Sequence, residues 1–245
     1  MKQGFYTVAE NSPLADRVFR MRLEGDTSAV TVPGQFINIR LDGYYLRRPI
    51  SVCDWDDSSV TIVYKVLGQG TEYMTSLKSG DTLDVLTGLG NGFDMACAGD
   101  APLLLGGGVG TPPMYALAKR LLAAGKRVCV ALGFNTAADV FYDDELRALG
   151  AEVTVATVDG SYGVKGFVTD AAAGICPSYY YACGPEPMLK AVYKAIPCQG
   201  QLSFEERMGC GFGACMGCSC KTITGYKRIC REGPVLEKEE ILWDD

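Results

Sequence analysis

The sequence predicts a multi-domain α+β chain: an antiparallel β-barrel, a doubly wound α/β domain and a small cysteine-rich C-terminal domain. Three observations predict it. Residues 1–97 break into short β-type runs separated by Gly, Pro and Asp. Residues 98–200 alternate strand-like and helix-like runs with glycine turns between them. Residues 201–245 hold five of the eleven cysteines, all between Cys210 and Cys230.

In the first part, strands are expected over 4–9, 18–23, 35–41, 60–66 and 82–86. The period-two alternation is clearest at Phe36-Ile37-Asn38-Ile39-Arg40-Leu41. In the second part, strands are expected over 102–105, 128–132, 152–158 and 179–182, and helices over 113–124, 141–149 and 186–195. Gly125 supplies a helix stop. Strands alternating with helices indicate a parallel sheet covered on both faces. The third part is too short for a sizeable core, so a bound group is expected to hold it together.

Composition removes several kinds of chemistry. Histidine is absent, which excludes Ser–His triads, His-ligated haem, Rieske ligation and His-containing zinc sites. A net charge of −6 argues against a nucleic-acid surface. The uncharged stretch 101–118 contains four Gly and three Pro, which suits a strand and turn rather than a membrane helix. The opening MKQGFYTVAENS lacks the apolar core of a signal peptide, so a reducing, cytoplasmic setting is expected. There an odd number of crowded cysteines reads as cluster or metal binding.

The strongest motif is Cys210-x4-Cys215-x2-Cys218, followed by Cys230. Its first three members match the plant-type [2Fe–2S] spacing. Iron in such a cluster needs four soft, anionic thiolates converging from one loop and one returning segment. Gly209, Gly211, Gly213 and Gly217 interleave with them and give the loop positive φ and bare backbone. Cys230 is taken as the fourth ligand and Cys220 as a neighbour. A zinc-stapled binding module would use the same cysteines, although zinc sites more often show two separated C-x2-C pairs.

A second motif is the strand 103–105 running into Gly106-Gly107-Gly108-Val109-Gly110-Thr111 and a helix, the arrangement that binds a dinucleotide pyrophosphate. Cys183-Gly184-Pro185 forms a similar turn after the strand 179–182. Residues 133–139 contain no basic side chain to receive a 2′-phosphate, which favours NAD over NADP. In the barrel, Arg47-Arg48-Pro49-Ile50-Ser51 sits before a strand-like run, and Gly68-Gln69-Gly70-Thr71 follows a strand. An arginine fork can neutralise a phosphate, and a serine hydroxyl can bond a flavin ring.

The order of these motifs resembles the ferredoxin–NADP reductase superfamily. The details are similar to the electron-transfer subunits of type B dihydroorotate dehydrogenases over nearly the whole chain. Leu46–Ser51 by number 46–51, Leu89-Gly90-Asn91-Gly92-Phe93, and the segment 206–235 with Gly233-Pro234-Val235 carry that resemblance. In the family an Asp usually precedes Gly-Pro-Val, where this chain has Glu232. The resemblance implies FAD contacts at Arg48, Pro49, Ile50, Ser51, Val63, Tyr64, Lys65, Gly70 and Thr71. It implies a [2Fe–2S] cluster on Cys210, Cys215, Cys218 and Cys230. It further implies an FMN-bearing catalytic partner, a heterotetramer of two subunits of each kind, and electron delivery to NAD during pyrimidine synthesis. The FAD subunit of a ferredoxin–NADP transhydrogenase or sulfide dehydrogenase shares the layout, but with Asp in the place of Cys210.

Overall fold

The computed structural model describes residues 1–243. Six strands close the barrel: β1 (Lys2–Ala15), β2 (Val18–Glu24), β3 (Phe36–Ile39), β4 (Arg48–Trp55), β5 (Ser59–Lys65) and β6 (Thr82–Leu89). Their order is β1-β2-β5-β4-β3-β6, every neighbour antiparallel, and closure leaves no edge to pair with another chain. Alternate residues point inward, so Val8, Met21, Leu23, Ile37, Ile39, Val60 and Ile62 fill the interior. The helix α1 (Gln69–Thr75) lies between β5 and β6 and adds Met74 to that core.

The Arg48–Ser51 run does not precede a strand; it begins β4. Pro49 argues against a strand interior because it lacks an N–H. It stands one residue inside the strand's start, across from Asn38.

The α/β part has β7 (Leu103–Gly107), α2 (Thr111–Ala123), β8 (Cys129–Phe134), α3 (Asp143–Ala148) and β9 (Glu152–Thr157). It continues with β10 (Val164–Lys165), α4 (Val168–Ala171), β11 (Tyr180–Cys183), α5 (Glu186–Ala195) and β12 (Gly200–Ser203). The tail adds a hairpin of β13 (Ser219–Thr222) and β14 (Gly225–Arg228), then β15 (Val235–Glu237). The large sheet runs β10-β9-β8-β7-β11-β12-β15; only β15 is antiparallel to its neighbour. Pro112 and Pro113 open α2 where N–H groups have no intrahelical partner anyway, and Gly125 at φ 77° ends it. The helix expected from residue 141 starts later, because Tyr142 sits at φ 67°, outside helical geometry.

Each face of the sheet has its own core. Leu104, Val130, Leu132 and Tyr181 pack against α2 and against Val18, Cys53 and Val63 of the barrel. Leu103, Leu105, Ala131 and Ala182 face α5 and the tail residues Cys218, Ile229 and Cys230. A division at 97/98 and 200/201 is our proposal for the domain boundaries; β12 runs across the second, and β15 carries the tail back into the sheet. No helix of the described residues is long and apolar enough to cross a membrane.

Candidate functional site

The four predicted cluster cysteines come together, and they do so as two pairs. The Cys210 N–H lies 3.5 Å from the Cys215 sulfur, and the Cys230 N–H lies 3.4 Å from the Cys218 sulfur. Cys218 and Cys230 are buried, whereas Cys215 is exposed. Among the described residues, no three His, Cys, Asp or Glu side chains are grouped as a single metal ion would require. Each thiol pair could supply the two protein ligands of one iron in a [2Fe–2S] cluster.

Backbone amides prepare these sulfurs for a cluster. Burial pushes the Cys210 thiol up, but the N–H groups of Phe212, Cys215 and Ala214 outweigh it and bring the thiol down to about 6. The Ala214 amide donates to the Cys210 sulfur at 3.2 Å and the Gly217 amide to Cys215 at 3.5 Å. Burial and the neighbouring Cys218 push Cys230 up to about 12, so a bound cation must drive its deprotonation. A methyl group on Gly209 or Gly217 would stand 3.2 or 3.5 Å from the Cys215 sulfur, taking space next to it. Gly211 and Gly213 adopt φ of 78° and 91°, the left-handed turns a loop wrapped around a cluster needs. Cys220 lies on β13 across from Lys227, outside the two pairs.

The flavin candidates divide by strand register. Pro49 and Ser51 point outward from β4, Ile50 packs against the barrel core, and residues 48–51 are all half-buried. Ser51 makes no side-chain hydrogen bond among the described residues, which leaves its hydroxyl for a ligand. Tyr64 points into the barrel, where its hydroxyl bonds the Asn11 side chain at 3.0 Å, and Val63 packs between barrel and sheet. Arg48 lies over the Tyr44 ring and against Gly70, where any side chain at residue 70 would overlap its guanidinium. It makes no ion pair among the described residues, so its charge is open to a phosphate. Arg47 is already used: its guanidinium bonds the Asn38 and Asp84 carbonyls and pairs with the Asp84 carboxylate at 2.8 Å. The Thr71 hydroxyl is likewise engaged, accepting from the Leu67 and Gly68 amides at 2.9 and 3.2 Å.

The two glycine turns meet at the carboxyl edge of the sheet. Strands β7 and β11 are parallel neighbours, with Gly106 beside Cys183. A methyl group on Gly110 would overlap the Cys183 carbonyl, and one on Gly106 would reach 3.0 Å from the Thr111 Cα. Gly107, Gly108 and Pro185 line a cavity of about 570 Å³ together with Lys65 of the barrel, Asn135 and Asp139. It therefore joins residues expected at the flavin with residues expected at the dinucleotide. Gly108, at φ 50° with no atom near its missing side chain, leaves room for a ligand to approach the backbone. The Thr111 hydroxyl, buried and without a hydrogen-bond partner among the described residues, is a further polar atom on this turn. Burial pushes the Cys183 thiol up to about 12, which keeps it neutral beside the turn.

Four side chains, Asn91, Glu232, Arg228 and Asn38, tie these parts together, and the sequence alone assigned a partner to none of them. Asn91 donates to the Glu232 and Val235 carbonyls at 3.1 and 2.7 Å and accepts from the Val235 amide at 3.1 Å. Both of its partners lie in or beside the Gly233-Pro234-Val235 motif, so two motifs far apart in sequence form one latch. Glu232 pairs with Arg228, whose guanidinium also reaches the Gly213 carbonyl and thereby clamps the cluster loop to the returning segment. Asn38 of β3 donates to the Cys210 carbonyl at 3.2 Å.

Comparisons with known proteins agree with this arrangement. Residues 205–242 match the iron–sulfur cluster binding domain of dihydroorotate dehydrogenase B, and residues 104–194 match the oxidoreductase NAD-binding domain. The chain is 43% identical to the dihydroorotate dehydrogenase B (NAD(+)) electron transfer subunit of Fusobacterium nucleatum, covering 96% of each chain. It is 44% identical to that of Bacillus caldolyticus, covering 96% of this chain and 97% of that one. Among solved structures, a chain from the NADH-dependent reduced ferredoxin–NADP oxidoreductase superposes with a TM-score of 0.88 at 30% identity, covering 98% of this chain and 90% of that one. The ferredoxin reductase of carbazole 1,9a-dioxygenase shares the fold, with a TM-score of 0.70 at 24% identity over 80% of this chain and 67% of that one. At this identity over nearly its whole length, the chain belongs to the family of dihydroorotate dehydrogenase B electron transfer subunits.

Proposed function

We propose that this chain receives electrons from a separate FMN-bearing, dihydroorotate-oxidising subunit and delivers them to NAD⁺, so that orotate and NADH are the products. Bound FAD, [2Fe–2S] cluster and nicotinamide supply the chemistry, since a flavin exchanges both hydride and single electrons. The protein's work is to hold, space and tune them.

Cys210, Cys215, Cys218 and Cys230 would hold the cluster. Arg48 would face the flavin phosphates, with Gly70 giving it room, and Ser51 would bond the ring system from the outer face of β4. Gly107, Gly108 and Pro185 would line the nicotinamide crevice. Asp139, on the wall of that crevice, supports NAD over NADP, because a carboxylate repels a 2′-phosphate. Cys215 is exposed while Cys218 and Cys230 are buried, so one thiolate pair reaches the surface where a partner can approach. A heterotetramer of two subunits of each kind in the cytoplasm completes the reading.

The observation that carries it is the placement of the paired thiols next to the barrel that holds the flavin candidates: Phe36 of β3 shares one apolar cluster with Cys218 and Cys230. The test is to express the chain with its catalytic partner and supply dihydroorotate and NAD⁺ anaerobically. Equal amounts of orotate and NADH are expected. A complex containing iron, sulfide and flavin that forms no orotate would defeat the proposal.

A further inference from the structure

We propose that Asn38 is a positioning residue that sets the cluster loop against the flavin strand. The proposal rests on the flavin and cluster assignments above and goes beyond them in naming what fixes their spacing.

The register of β3 decides which of its side chains face out of the barrel. Ile37 and Ile39 point into the barrel, so Phe36 and Asn38 point out. Across the ladder, Phe36 faces Ser51 and Asn38 faces Pro49. Directly opposed residues of an antiparallel pair share one face of the sheet. One outer patch therefore carries two flavin candidates beside two residues linked to the cluster segment. Phe36 belongs to the same apolar cluster as Cys218 and Cys230, and the Asn38 amide bonds the Cys210 carbonyl.

The neighbouring geometry leaves this bond little freedom. A methyl group on Gly211 would overlap the Asn38 amide nitrogen, so residue 211 must stay bare for the loop to come this close. The backbone of Asn38 is itself fixed, because Arg47 bonds its carbonyl at 3.3 Å while holding Asp84 of β6. In a trans peptide the C=O and the following N–H point in opposite directions. Holding the Cys210 carbonyl toward the barrel thus turns the Gly211 N–H away from it. Amide orientation around the sulfurs tunes a cluster.

Asn38 is only 1% exposed, and its Oδ1 has no donor among the described residues. An unmade hydrogen bond of this kind is a net cost to the folded state. A leucine of similar size would avoid that cost, so stability alone does not account for an amide here. Placement of the loop does.

The experiment compares the wild-type complex with Asn38→Leu and Asn38→Ala, each made with the catalytic partner under anaerobic conditions with iron supplied. Wild type must first show iron, sulfide and flavin; if it does not, the cofactor assignment fails and Asn38 is not what was tested. In the variants, iron and flavin contents should match wild type. Reduction of the cluster by NADH should slow several-fold, because electron transfer falls steeply as flavin and cluster move apart. The electron paramagnetic resonance g-values of the reduced cluster should also shift, which a change in fold stability alone would not produce. Either variant that retains its cofactors is sufficient for this readout. Unchanged rate and spectrum overturn the proposal. Loss of iron from both variants overturns it as well, since Asn38 would then be needed to build the site rather than to place it.

Discussion

Residues 106–110 and 209–217 are both glycine-rich, yet their glycines answer different demands. In the first segment, bare backbone is required by the protein itself: Gly110 fits under the Cys183 carbonyl and Gly107 against the Met188 sulfur. In the second, Gly211 and Gly213 leave room for the Asn38 and Arg231 side chains, but Gly209 and Gly217 flank a sulfur, and the loop has few apolar residues of its own to bury. The dinucleotide turn is thus preorganised by packing, whereas the cluster loop depends on what its thiolates hold. Equal glycine content does not mean equal rigidity.

The largest effect should come from breaking the loop that depends on its cofactor. Cys215→Ser leaves three thiolates, and iron and sulfide contents should fall to near background, because metal binding is coupled to folding of such segments. The contrast predicts where the damage stops. Hydrogen exchange should rise across 209–231, while β15 stays protected by its pairing with β12 and by Asn91. Full iron content in this variant would show the ligand assignment to be wrong.

Gly110→Ala should come next, and it acts without any cofactor. The added methyl must displace the β11–α5 turn, and overpacking of this kind costs about 1–3 kcal/mol. Urea denaturation of the flavin-free chain is the measurement. A variant as stable as wild type would mean that this turn is as adaptable as the cluster loop.

Asn91→Ala tests the boundary between the two regimes. The change leaves the Glu232 and Val235 carbonyls and the Val235 amide without their partner. Leaving such groups unsatisfied costs about 1–3 kcal/mol. The tail should become protease-sensitive near residue 233 even with iron bound. If cleavage is unchanged, the cluster alone orders the tail.

These contrasts explain how much could be read beforehand. The Cys210–Cys230 pattern and both glycine turns were legible because the chemistry fixes residue type and spacing together. Helix α5 was legible to its ends, 186–195, because proline precedes it and an apolar stripe follows. Asn38 was not. Its place in an alternating strand marks it as outward-facing, which in an isolated barrel means solvent; the tail that covers it comes about 170 residues later, as the 172-residue separation of Asn38 from Cys210 records. Asn91 stood inside a motif that resemblance had marked, but a motif names a segment and not its partner. Strand β15 was missed because three residues give no periodicity to read.

The smallest effect should come from the flavin strand, where one side chain supplies the charge on a frame that already exists. Arg48 bonds only the Leu46 carbonyl and rests on Tyr44, so its removal leaves no buried partner orphaned. Arg48→Ala should therefore leave unfolding in urea nearly unchanged. Flavin affinity should fall about tenfold, equivalent to about 1.4 kcal/mol, as expected for loss of one charge-assisted bond to a phosphate. The cluster should be retained, since Arg48 makes no hydrogen bond or ion pair to the cysteine segment among the described residues. Fluorescence titration of the apoprotein with FAD reads the affinity, and iron analysis of the same sample reads the cluster. Unchanged FAD affinity would move the phosphates away from Arg48 and Gly70. A joint loss of flavin and iron would show instead that the strand and the loop are one cooperative unit, and that the division between a packed frame and a cofactor-held loop is too sharp.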